Sequence, residues 1–78
     1  MKFYIIYEKD ALATMESDIE GPYVSFEKAN ARLKTFDDNY DAWVVTQING
    51  VWCRLEEGDG GIFYRPVEKD QDYWLPLA

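Results

Sequence analysis

The side chains in this chain that could do chemistry are almost all carboxylates. Histidine is absent. With it go the commonest general base, the commonest metal ligand and the partner that activates serine or cysteine nucleophiles. Cys53 falls in an alternating segment on the side predicted to face the core, where a thiol is inert packing rather than a nucleophile. The only serines are Ser17 and Ser25, and Ser25 is placed to cap a helix. Paired acids satisfy the residue types of an acid–base or glycosidase site, but such a site needs a cleft, and a domain with one helix has little room for one. Asp37, Asn39 and Asp41 match the first three ligand positions of a calcium loop. The pattern then fails: the sixth position is Ala42 rather than glycine, and the twelfth is Ile48 rather than glutamate. Gly58-Asp59-Gly60-Gly61 lacks the following helix and basic residue of a phosphate cradle. The sequence therefore predicts a protein that is not an enzyme, with no cofactor and no metal site.

Binding is what the residues favour. The net charge of −7 opposes phosphate contact, which needs clustered Lys and Arg, and so argues against direct binding to nucleic acid or to an anionic membrane surface. It favours approach to a basic protein surface through long-range attraction. The acids come in groups at turns and segment ends: Glu16, Asp18 and Glu20; Asp37, Asp38 and Asp41; Glu56, Glu57 and Asp59; Glu68, Asp70 and Asp72. Displayed in this way, carboxylates can imitate the phosphates of DNA. The plain alternative is that wet loops are acidic and the charge only keeps a small protein in solution. A second candidate surface is the group Trp43, Trp52 and Arg54, since Trp and Arg dominate interface hot spots. Its alternative is a second packed layer beneath a covering segment.

The elements that must position these residues follow from periodicity. Residues 2–8 read as a strand with Phe3, Ile5 and Tyr7 on one face and Tyr4 and Ile6 on the other; two apolar faces imply a central strand. In Lys9 to Glu20, Ala11, Leu12, Ala13 and Met15 could make a helical turn, but Asp18, Glu20 and Gly21-Pro22 end it; the segment reads as an irregular acidic loop that closes with a short strand near Ile19. Ser25 caps a helix whose apolar stripe is Phe26, Ala29, Leu33 and Phe36, ended by Asp37-Asp38-Asn39. Asp41 to Glu57 is a β-hairpin turning at Asn49-Gly50, the favoured pair for a type I′ turn. That register sets Ile48 against Val51, Thr46 against Cys53 and Val44 against Leu55 on the core side. Trp43, Val45, Gln47, Trp52, Arg54 and Glu56 lie on the other. Ile62 to Val67 makes a third strand, at an edge because Pro66 cannot donate to a ladder. The tail from Glu68 to Ala78 carries Tyr73, Trp74 and Leu75 and is expected to pack back.

These elements give an α+β fold: a mostly antiparallel four- to five-stranded sheet with one α-helix packed on one face. Its 78 residues form a single domain, 1–78. A chain this short buries only about 60% of its unfolded surface. The 17% aromatic content compensates, either in a monomer or in a homodimer that shares apolar surface. A single cysteine and no apolar run of about 20 residues point to the cytoplasm.

In size, acidity, the Tyr4-Ile5-Ile6 opening strand, the single helix from Phe26 and the Asn49-Gly50-Val51-Trp52 hairpin, the chain resembles small phage-encoded inhibitors of host defence, the anti-CRISPR proteins in particular. The likeness is one of architecture, without a diagnostic motif, and carries over no functional residue. It implies a protein-binding inhibitor in the host cytoplasm that acts as a DNA mimic on a nucleic-acid-binding host complex. The candidate partner-binding residues are Asp37, Asp38, Asp41, Glu56, Glu57, Asp59, Trp43, Trp52 and Arg54. The competing expectation is a structural or assembly subunit that oligomerises through its aromatic faces.

Overall fold

A computed structural model describes residues 1–9 and 17–67. Five strands form one antiparallel sheet: β1 (Phe3–Lys9), β2 (Ser17–Tyr23), β3 (Tyr40–Ile48), β4 (Val51–Gly58) and β5 (Gly61–Pro66), in the order β2-β1-β3-β4-β5. One short helix, α1 (Phe26–Leu33), joins β2 to β3. The expected tail packing and any structure in 10–16 lie outside the described residues.

The hairpin forms as its turn chemistry dictates. Asn49 and Gly50 both have positive φ, 51° and 81°, the type I′ requirement. Ile48 faces Val51, Thr46 faces Cys53 and Val44 faces Leu55. β1 lies between β2 and β3, and its two faces are both buried: Ile5 and Ile6 are each fully withdrawn from solvent. Thr46, also fully buried, donates its hydroxyl to the Lys2 carbonyl at 2.7 Å, so its polar atom is satisfied.

Each face has its own cluster. Phe26 and Ala29 of α1 join Ile5, Val44 and Leu55, with Leu33, Phe36 and Ile62 at the margin. Ser25 caps the helix by accepting from the Lys28 amide at 3.2 Å. The helix is shorter than its stripe: it ends at Leu33, and Phe36 is brought in by a tight turn in which its amide bonds to the Leu33 carbonyl at 3.1 Å. On the opposite face Ile6, Trp43 and Val45 form a second cluster, flanked by Tyr4, Ile19, Trp52 and Val67.

Two expectations need correcting. Gly21-Pro22 does not end the segment before it; β2 runs through both residues to Tyr23. The pairing with β1 shifts register there, with Phe3 facing Tyr23 and Ile5 facing Glu20. A bulge on an outer strand absorbs the extra residue and tolerates the missing proline donor. The second correction concerns Trp43, which is 6% exposed and belongs to the second core rather than to an open aromatic face.

Candidate functional site

In an antiparallel sheet alternate strand ends meet, and here that brings the acids together. Glu8 of β1 pairs with Ser17 of β2 and with Asp41 of β3. Tyr7 pairs with Asp18. The C-terminal end of β4, with Glu56 and Glu57, leads to the turn at Asp59 that β5 follows, and Gly58 pairs with Gly61. Asp37 and Asp38 lie in the turn that feeds β3. One end of the sheet therefore carries Asp18, Asp37, Asp38, Asp41, Glu56, Glu57 and Asp59, all exposed, with Glu8 buried among them.

The opposite end is different in character. It carries Met1, Val24 and Val51, 75%, 74% and 52% exposed, at the start of β1, the end of β2 and the β3–β4 turn.

The acids at the first end do not all stand open. Glu57 accepts from the Asn30 amide nitrogen at 2.6 Å and lies 4.0 Å from Lys34 Nζ, so it ties β4 to α1. Its carboxylate is thus engaged by the helix while its side chain stays 55% exposed. Glu56 lies 2.9 Å from Arg54 Nε. Asp37 accepts from the Asn39 amide at 2.8 Å, a local turn bond that uses one of the oxygens a calcium loop would need. Asp18 accepts from the Ile19 amide at 2.8 Å and from the Tyr7 hydroxyl at 3.3 Å. Burial and the neighbouring Asp18 carboxylate push the Tyr7 phenol above its ordinary value. Asp38, Asp41 and Asp59 form no ion pair among the described residues.

The Trp43, Trp52 and Arg54 group is a packed layer in part. The Arg54 guanidinium lies 4.9 Å from the Trp43 ring centroid and beside Glu56, so the carboxylate that a half-buried arginine requires is present. Trp52 is half-buried and meets Tyr4 edge-on at 5.7 Å. Cys53 is buried, its thiol 3.7 Å from the Val51 carbonyl.

Tyr40 and Arg32, which sequence reasoning did not single out, join Tyr7, Phe36 and Glu20 near this end. Tyr7, Phe36 and Tyr40 form a ring cluster with centroids 5.2, 5.6 and 6.1 Å apart. Arg32 binds Glu20 through Nε at 2.9 Å and Nη2 at 3.0 Å, donates from Nη1 to Thr35 at 2.7 Å, and lies 4.7 Å from the Phe36 ring centroid. Glu20 also accepts the Tyr23 hydroxyl. The hydrogen bond from Arg32, then that from Tyr23, hold the Glu20 carboxyl below its ordinary value.

Between α1 and the β4–β5 hairpin runs an open groove of about 490 Å³, lined by Phe26, Glu27, Asn30, Lys34, Glu57 and Ile62 among others. This is more room than the chain's size led us to expect. Among the described residues no three His, Cys, Asp or Glu side chains converge as a metal site, and no helix is long and apolar enough to cross a membrane. No protein-family model, curated protein or solved structure matches the chain.

Proposed function

We propose that this protein is a non-catalytic binding domain whose acidic end occupies a basic, nucleic-acid-binding surface on a partner protein. One observation carries this reading: strand order gathers carboxylates from four separate stretches of the sequence at a single end of the sheet. Connections at alternate strand ends share an end by topology; what wet loops do not require is the one-sidedness, with Met1, Val24 and Val51 exposed at the other end. In this reading the helix, lying on one face of the sheet, leaves that end open. Carboxylates fixed on strand ends and tight turns lose little side-chain freedom on binding, and their field draws in a basic surface. The groove beside α1 gives little support to catalysis. Of its acids, Glu57 is committed to Asn30 and Lys34, and the chain has no histidine to work with Glu27.

The experiment is capture followed by competition. The immobilised protein is used to retain partners from a bacterial lysate, and the retained proteins are challenged with duplex DNA at constant ionic strength. Displacement by DNA of a nucleic-acid-binding protein supports the reading. Retained proteins that bind no nucleic acid, or that DNA fails to displace, defeat it.

A further inference from the structure

The two outer strands of the sheet are built very differently. β2 carries the devices that keep an edge from pairing: Asp18 and Glu20, a proline without an amide hydrogen at Pro22, and the register shift beside it. β5 confines its charge and its proline to its last two residues, Arg65 and Pro66, and has none of these devices over Gly61-Ile62-Phe63-Tyr64. Its two aromatic side chains are exposed on opposite faces, Phe63 at 56% and Tyr64 at 53%.

The direction of its backbone groups can be read from the register. The Val67 amide bonds back to the Trp52 carbonyl at 3.0 Å. Hydrogen-bonded and non-bonded pairs alternate along an antiparallel ladder. Arg65, Phe63 and Gly61 therefore turn their N–H and C=O groups toward β4, while Ile62 and Tyr64 turn theirs outward, at the end of the sheet.

We infer that β5 is a homodimer edge, pairing antiparallel with β5 of a second copy across a two-fold axis at Phe63. A two-fold perpendicular to the sheet keeps the faces of the two copies aligned, so a residue must oppose itself. With Phe63 opposite Phe63, Ile62 pairs with Tyr64 of the other copy, and every outward N–H and C=O of those two residues finds a partner. Centring on Tyr64 instead sets Ile62 against Pro66, which has no N–H, and leaves the Ile62 carbonyl without a donor. The Phe63 register also opposes the two rings at a non-bonded pair, where side chains approach most closely.

Charge favours the same antiparallel orientation. The acidic end of each copy lies at the start of its β5 and Arg65 lies near the finish. Antiparallel pairing sets Arg65 opposite Gly61 of the other copy, next to the turn at Asp59, and sends the two acidic ends to opposite corners. Parallel pairing sets the acidic ends side by side. The assembly is independent of what the acidic end binds.

Sedimentation velocity between about 10 µM and about 500 µM, the range in which a weak interface assembles, tests this directly. The mass is expected to rise from 9.2 kDa toward twice that value. Tyr64→Pro removes an outward amide and no β4 ladder bond, and is expected to weaken dimerisation at least tenfold while the circular dichroism spectrum holds. Should that variant fail to fold, Tyr64→Lys places a charge on the edge and carries the same expectation. Opposed non-bonded residues lie about 4.5 Å apart at Cα, within the span of a disulfide. Phe63→Cys should therefore oxidise to a covalent dimer with diamide at least tenfold faster than Tyr64→Cys. A wild type that stays at the monomer mass throughout, a dimer indifferent to both Tyr64 variants, or equal cross-linking at 63 and 64 overturns the inference.

Discussion

Gly21 and Tyr4 meet so closely that no side chain fits between them. A Cβ on Gly21 would lie 2.9 Å from Tyr4 Cδ1 and 3.0 Å from the Phe3 carbonyl oxygen, and Gly21 has φ of 139°. The ring at Tyr4 in turn meets Trp52 edge-on, so the bulge in β2 positions one wall of the second core. Gly21→Ala is expected to cost about 1–3 kcal/mol through backbone strain alone. In a domain of this size that lowers Tm by roughly 4–8 °C per kcal/mol. Thermal melts followed by circular dichroism check it, and an unchanged Tm would mean that the bulge relaxes freely.

The Arg32–Glu20 bond joins α1 to β2 with two donors from one guanidinium. Both side chains are partly exposed, 46% and 30%, so solvent screens the pair and its contribution is small. Its pH dependence has a definite sign. Glu20 is held below its ordinary carboxyl value in the folded state. The contribution is complete above the unfolded value of about 4.3 and is lost as pH falls through the lower folded value. Glu20→Gln should remove this part of the acid sensitivity and leave stability at neutral pH only slightly reduced. Urea unfolding at neutral and acid pH reads both.

Trp43→Ala separates a core residue from an interface residue. The indole is buried with Ile6 and Val45 and lies under the Arg54 guanidinium. Truncation is expected to cost about 3–5 kcal/mol, a large share of a total stability of about 5–15 kcal/mol. Asp59→Asn, at an exposed turn, should change stability by less than about 0.5 kcal/mol. Urea unfolding of the two variants is the measurement, and similar small losses in both would return Trp43 to the surface.

What the sequence revealed and what it concealed have physical causes. The hairpin register was legible because Asn49-Gly50 needs positive φ at both positions and the side-chain period then fixes every pair on one hairpin. Ser25 and the Phe26–Ala29 spacing marked the helix start for the same reason: local chemistry decides them. β2 was obscured because Gly21 and Pro22 are breakers in a central strand and harmless in a bulged outer one, and only strand order tells the two apart. The burial of Trp43 is half visible, since Ile6 and Val45 mark the second face as apolar, and the Arg54 on that face is accommodated by Glu56 beside it. The acidic clusters were plain in the sequence. That Asp18, Asp41, Glu56 and Asp59 share one end depends on strand order, and that Glu57 serves the helix depends on which way Asn30 faces. Glu16, Glu68, Asp70 and Asp72 lie outside the described residues.

The acidic end can be tested without naming a partner. Asp37→Asn, Asp38→Asn and Asp41→Asn made together remove three charges from a net charge of −7 while keeping side-chain volume. The bond from Asp37 to the Asn39 amide can survive, because an asparagine oxygen also accepts. Thermal stability should therefore hold within about 0.5 kcal/mol. Association is another matter. Charges spread over a surface act mainly by steering the encounter, so the variant should bind an arginine-rich peptide with a slower on-rate and a flatter salt dependence, its off-rate little changed. Raising the salt above about 0.15 M shortens the Debye length below about 8 Å, and wild type and variant should then converge. Stopped-flow association at two salt concentrations measures this. If the triple variant matches wild type in on-rate and in salt slope, Asp37, Asp38 and Asp41 are only a solvated turn.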